Sequence, residues 1–188
     1  MNTLSRKPST RLVVISSNLP SEQLLANAVQ PNCGLIVYDY ENTTPDSLLN
    51  QIQSTLNNSS VDSIAFIDHG EPGEFCLTKN TDVSQEALDK AETGVADFFS
   101  GVSQLVAEDG RVDLLACNLY ASPDGKKLVK NLEALTNTNF AASDNLTGKN
   151  GDWNLESDDV DLMAIYFEPK LLQPWASKYH AQRGGNDE

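Results

Sequence analysis

The chain has 188 residues, 39% of them hydrophobic, which is enough for one sizeable core and hardly enough for two. Twenty-seven acidic residues against thirteen basic ones give a formal charge of −14, and no Lys/Arg cluster stands out, which argues against nucleic acid and anionic membranes as partners. No apolar stretch is long enough to cross a bilayer, and residues 1–11 are polar where a signal peptide would be apolar, so no membrane span is expected and the compartment is cytoplasmic by default.

Residues 1–10 read as a disordered leader. Leu12-Val13-Val14-Ile15-Ser16 is a β-branched run and predicts the first strand; Ser21 then stands where it can cap a helix through Val29. A second strand follows over residues 34–39, and Thr44-Pro45 supplies a cap and a first helical position for a helix whose Leu48, Leu49, Ile52 and Leu56 share one face. Ile64-Ala65-Phe66-Ile67-Asp68-His69-Gly70 is a third strand that ends in a histidine. Phe75-Cys76-Leu77 predicts a short edge strand, and residues 78–84 a loop or flap. From Ser84 to about Glu108 the pattern is helical, as one long helix or two broken ones, with Gly94 and Gly101 as weak points.

Val112-Asp113-Leu114-Leu115-Ala116-Cys117-Asn118 repeats the design of the third strand and ends in a cysteine. Pro123 begins another helix, lined inside by Leu128, Leu132 and Leu135, and Phe140 to Ser143 is a fifth strand. Lys149-Asn150-Gly151-Asp152 predicts a hairpin turn between a strand near Leu146 and Trp153 to Glu156. Residues 169–188 read as a C-terminal tail, which includes His180.

Strands alternating with helices predict a three-layer α/β domain over residues 11–168, with an open, mostly parallel sheet of flavodoxin-like order 2-1-3-4-5 and a C-terminal β-hairpin. That order makes strands three and four neighbours, about 4.8 Å apart. His69 and Cys117 then leave adjacent strand ends, at the edge of the sheet where sites of this class gather. A cysteine is nucleophilic as its thiolate, and an imidazole alongside can take its proton. The Gly70 and Cys117 N–H groups are candidates to hold an oxyanion; Asp68 and Asp144 are candidates to orient the imidazole.

Cys33 and Cys76 read as structural. Three cysteines cannot all pair within one chain, and their spacing matches no zinc pattern. No metal or other cofactor is expected, with a calcium requirement left open because sequence cannot show oxygens converging.

His-Gly closing one strand and Ala-Cys closing the next, roughly 50 residues on, resembles the arrangement of caspases and of the wider caspase-like (clan CD) cysteine peptidases. The closer resemblance is to the DUF4347 family. It is carried by Leu12-Val13-Val14-Ile15, Ile67-Asp68-His69-Gly70 with Gly73, Leu114-Leu115-Ala116-Cys117, and Ala141 to Gly148 with Gly151 to Glu156. The resemblance implies a caspase-like fold with His69 and Cys117 as the dyad, and an extracellular setting reached by a non-classical route. Cys117 is followed by Asn118-Leu119, where caspases carry an Arg, Gln or Gly and then a Gly.

The expected function is that of a caspase-like cysteine endopeptidase or self-processing peptidase acting on a protein or peptide substrate. The alternative is a catalytically inactive module of the same fold that serves in binding or structure. A small-molecule hydrolase using the same dyad ranks third. A flavodoxin-like cofactor binder ranks lower, since no Gly-rich phosphate loop follows the first strand.

Overall fold

The computed structural model describes residues 10–148 and 151–172. In chain order the elements are β1 (Arg11–Ser16), α1 (Glu22–Ala28), β2 (Cys33–Tyr38), α2 (Pro45–Leu56), β3 (Val61–Ile67), β4 (Gly70–Glu71), β5 (Glu74–Thr78), β6 (Thr81–Ser84), α3 (Gln85–Asp89), α4 (Val95–Ser103), β7 (Val106–Leu115), α5 (Pro123–Thr136), β8 (Asn139–Ala142), β9 (Asn154–Leu155), β10 (Val160–Asp161) and α6 (Leu162–Ile165).

Five strands form the central sheet in the order β2-β1-β3-β7-β8, with every pair parallel. In sequence order this is the 2-1-3-4-5 arrangement expected from the alternation of strands and helices. The sheet is covered on both faces, so its inner strands carry near-continuous apolar runs and successive residues serve opposite layers. Leu12, Val14, Ile64, Phe66, Val112 and Leu114 pack under α2, α4 and α5. Val13, Ile15, Ala65, Ile67 and Leu115 face α1 and the C-terminal segment, where Leu155, Leu162, Tyr166 and Phe167 are buried. Phe66, Phe98, Phe99 and Phe140 meet edge to face at 5.1–6.1 Å between centroids, a geometry that adds about 0.5–1.5 kcal/mol per pair beyond area burial.

Local chemistry explains most helix starts. The Thr44 hydroxyl accepts from the Ser47 N–H while the Ser47 hydroxyl accepts from the Thr44 N–H, and Pro45 takes the first position of α2. The Ser122 hydroxyl accepts from the Gly125 N–H, with Pro123 opening α5. Ser21 stands at the start of α1 but makes no side-chain cap bond.

The stretch from Ser84 takes the broken form of the two expected but ends earlier, and two further elements differ from the sequence expectation. The helical stretch from Ser84 is two helices separated at Gly94, whose φ of +71° few other residues adopt, and it ends at Ser103. Val106 therefore opens β7 and does not line a helix. The segment expected as a loop or flap contains β6, which pairs with β5, and β4-β5-β6 form a small antiparallel sheet straight after His69. The C-terminal hairpin exists but sits later in the chain. β9 pairs with β10, and Asp159 at φ +54° belongs to the turn between them. Thr147 and Asp152 meet in a parallel bridge. Lys149 and Asn150 of the expected turn lie outside the described residues.

Residues 169–172 are helical, with Leu172 2% exposed, so the packed unit continues past Phe167 into the stretch read as a tail. The leader up to residue 9, and His180 in the tail, lie outside the described residues. No described helix is long and apolar enough to cross a membrane.

Candidate functional site

The parallel register pairs Ile67 of β3 with Leu115 of β7. His69 and Cys117 each follow two residues later, on the face that carries Ile67 and Leu115. They line one open cleft of about 420 Å³ at the carboxyl end of the sheet. His69 is exposed and Cys117 half-buried. Loops from three other parts of the chain complete the walls, with Leu19 and Pro20 after β1, Leu146 and Thr147 after β8, and Trp153 before β9.

Both strand ends are held by short-range chemistry. Asn118 has φ +58°, a left-handed conformation that asparagine tolerates better than most residues, and this turns the chain sharply just after the cysteine. Its N–H donates to Asn145 O at 2.7 Å and the Tyr120 N–H donates to Ser143 O at 2.8 Å, so the β8–β9 loop is tied over the cysteine turn.

Gly70 shows why a glycine follows the histidine. A Cβ there would lie 2.6 Å from the Ala116 Cβ and 3.0 Å from Cys117 O, so the two strand ends touch through the space that a side chain would fill. Further along the same hairpin, Gly73 adopts φ +90° and its N–H donates to Leu119 O at 3.1 Å. The β4–β5 hairpin therefore clamps the histidine turn to the cysteine turn.

The backbone donors named from sequence are accounted for as follows. Cys76 N–H donates to His69 O at 3.0 Å, which makes His69 and Cys76 a bonded pair, and Gly70 then pairs with Phe75 at the alternate position. Antiparallel alternation turns the Gly70 N–H away from β5. The Cys117 N–H has no hydrogen-bond partner among the described residues.

Asp68 is 4% exposed and makes no hydrogen bond to the imidazole among the described residues. One carboxylate oxygen accepts the His69 N–H at 2.7 Å and the other the Tyr38 hydroxyl at 3.2 Å, with the Ser16 hydroxyl also bonded. Burial pushes this carboxyl above its ordinary value, against the lowering effect of those bonds. Its work is to fix the backbone turn that presents His69. Asp144 lies on the surface, its N–H on Glu156 Oε2 at 2.8 Å, away from the cleft. The thiol of Cys117 points at Thr147 O, 3.8 Å away, and no hydrogen bond joins it to His69 among the described residues.

Cys33, Cys76 and Cys117 are all free, and Cys33 is buried. Among the described residues no three His, Cys, Asp or Glu side chains gather as a metal site.

Sequence reasoning found the two residues at the strand ends but not the apolar walls. Those come from loops, where periodicity gives no signal. It also passed over a buried polar cluster lower on the same face. Asp113 accepts from Arg111 Nε at 2.7 Å and from the Tyr166 hydroxyl, which also bonds Ser63 at 2.7 Å. Arg11 donates to the same Ser63 at 2.9 Å. The one available signal was a charged residue, Asp113, inside the otherwise apolar run from Val112 to Ala116.

The family described as "Domain of unknown function (DUF4347)" matches residues 12–178, and the chain belongs to it. The chain is also similar to the NMDA receptor synaptonuclear signaling and neuronal migration factor of Mus musculus and of Homo sapiens, at 22% identity over 92% of this chain and 33% of each relative. The Danio rerio protein of the same name matches at 22% identity over 92% of this chain and 31% of its own length. The chain thus spans about a third of the length of these curated relatives. No solved structure matches it.

Proposed function

We propose that this chain is a cysteine peptidase or self-processing peptidase of caspase-like type, with Cys117 as nucleophile and His69 as its acid–base partner. The observation that supports this most is the shared position of the two residues, each two steps beyond a register pair on neighbouring parallel strands and facing one open cleft. In the first step the Cys117 thiol gives its proton to the imidazole and the sulfur attacks the scissile carbonyl carbon. The oxygen gains negative charge beside the Gly70 N–H, which is turned away from β5, and the Cys117 N–H, which has no hydrogen-bond partner among the described residues. Collapse breaks the C–N bond, and His69 returns the proton to the departing amine. Water, deprotonated by His69, then cleaves the thioester and restores the thiol.

The thiol's bond to Thr147 O is long, and sulfur is a weak donor, so little opposes rotation of the side chain toward His69. The same bond favours a second reading, a catalytically silent module that keeps the fold, in line with the signalling names carried by the curated relatives.

Iodoacetamide labelling separates the two. For a peptidase, Cys117 labels rapidly near neutral pH, His69→Ala slows that labelling, and peptide cleavage in the variant falls roughly 10²–10⁴-fold. Cys117→Ala serves as the control for the other two thiols. Equal labelling rates in the wild type and His69→Ala overturn the peptidase reading.

A further inference from the structure

We infer that the cleft beside Cys117 is a specificity pocket for a leucine-sized or larger apolar side chain on the residue whose carbonyl is attacked. This rests on the peptidase reading for its role in catalysis, and on the shape and chemistry of the cleft for its selectivity.

The floor is apolar and sealed, with Leu25 at 5%, Ile67 at 7% and Leu115 at 3% exposure. The rim is apolar too. Leu146 is 45% exposed although it lines the cleft, and Pro20 faces it from the opposite loop, also exposed. Apolar side chains left in water around an apolar floor gain little from the fold itself and more from a ligand that covers them.

The polar content of the cleft sharpens the selection. Among the described residues no lysine or arginine lines it, so an aspartate or glutamate side chain finds no fixed cation there. The carboxylate present, that of Asp68, is buried, and both of its oxygens are already bonded to His69 N–H and to Tyr38. A lysine or arginine side chain therefore finds no free anion and loses its hydration on entry. An apolar side chain loses nothing and buries surface. The acyl part of the substrate stays attached to Cys117 through both chemical steps, so a pocket whose wall includes that residue acts on the acyl side.

The test uses the intact protein and four N-acetyl aminoacyl chloromethyl ketones, bearing leucine, glycine, aspartate and lysine. In each the Cys117 sulfur displaces chloride from the methylene carbon, and the site of labelling is read by mass spectrometry. The leucyl probe should react at Cys117 at least about tenfold faster than the other three, the selectivity expected from burying one such side chain. Leu146→Ser, a rim change with little cost to the fold, should lower the ratio of leucyl to glycyl rates several-fold.

Equal rates for all four probes, or a faster aspartyl or lysyl probe, overturn the pocket, and they do so even if iodoacetamide labelling remains dependent on His69. The same four rates are measured in His69→Ala. Leucine-selective labelling at an unchanged rate in that variant keeps the pocket and overturns the dyad.

Discussion

Strands β3 and β7 carry two polar groups of residues on one face, and the two are finished in opposite ways. Further back along the strands, Ser63, Arg111 and Asp113 are closed in by Arg11 and Tyr166. Ser63 and Asp113 have no solvent exposure at all. Beyond the carboxyl ends, His69 and Cys117 stand in an open cleft with no hydrogen bond between them. The strands are the same and so is their register, so the difference lies in what covers each end. Tyr166, after α6, reaches across the first group. Around the second, short loops leave a gap. A closed polar cluster stabilises and specifies the fold, and an open one is available for chemistry.

Asp113→Ala is the change that should cost most. It leaves the partly buried Arg111 guanidinium without its carboxylate and takes from the Tyr166 hydroxyl one of its two partners, Ser63 remaining, and breaking a buried pair of this kind costs about 3–5 kcal/mol. Denaturant titration checks this, and a loss below 1 kcal/mol would mean that the cluster is not what secures that end.

Gly70→Ala should rank second. Its Cβ would press on Ala116 and on the Cys117 carbonyl, and overpacking of this kind costs about 1–3 kcal/mol. Because the strain falls between the two site-bearing turns, Cys117 labelling should slow as well. An unchanged labelling rate would separate the clamp from the cleft.

A smaller, graded effect comes from pH. Burial holds the Asp113 carboxyl above its ordinary value of 3.8, with Arg111 pulling the other way. A carboxyl raised in the folded state adds stability that is complete below the unfolded value and is lost as pH climbs through the folded one. The wild type should therefore lose stability relative to Asp113→Asn as pH rises from 3.8. Unfolding midpoints compared across that range give the sign directly, and parallel curves would contradict it.

His69→Ala should cost least in stability, within about 0.5 kcal/mol, since the side chain is exposed. It is also the variant expected to change labelling of Cys117 most. Stability and reactivity should thus run in opposite orders along the same two strands.

How much of this was legible in the sequence follows the same division. Strand order and the adjacency of β3 and β7 came from apolar runs alternating with capped helices, since that pattern leaves few right-handed arrangements. The placement of His69 and Cys117 needed no more than the register of those strands. Asp68 could be read as a turn-former or as an imidazole partner, and its bonds to the His69 N–H, Tyr38 and Ser16 are those of a turn-former. The β9–β10 hairpin was placed too early because Asn150-Gly151 is a strong turn signal, while the turn that contains Asp159 has no glycine. The loop over 145–156, which supplies Leu146 and Trp153, could be read from sequence as bordering the site, but its shape and the part played by Leu19 could not, because these loops meet only in the folded chain.

The parallel pairing of β3 and β7 also sets when reactivity can arise during folding. Parallel neighbours cannot be joined by a tight turn, so the whole stretch from β4 to α4 must cross between the two strands for them to pair. No local hairpin brings His69 to Cys117. A nascent or partly unfolded chain carries an ordinary thiol, and the proposed nucleophile arises only with the complete sheet, so its reactivity would itself report that the domain has folded.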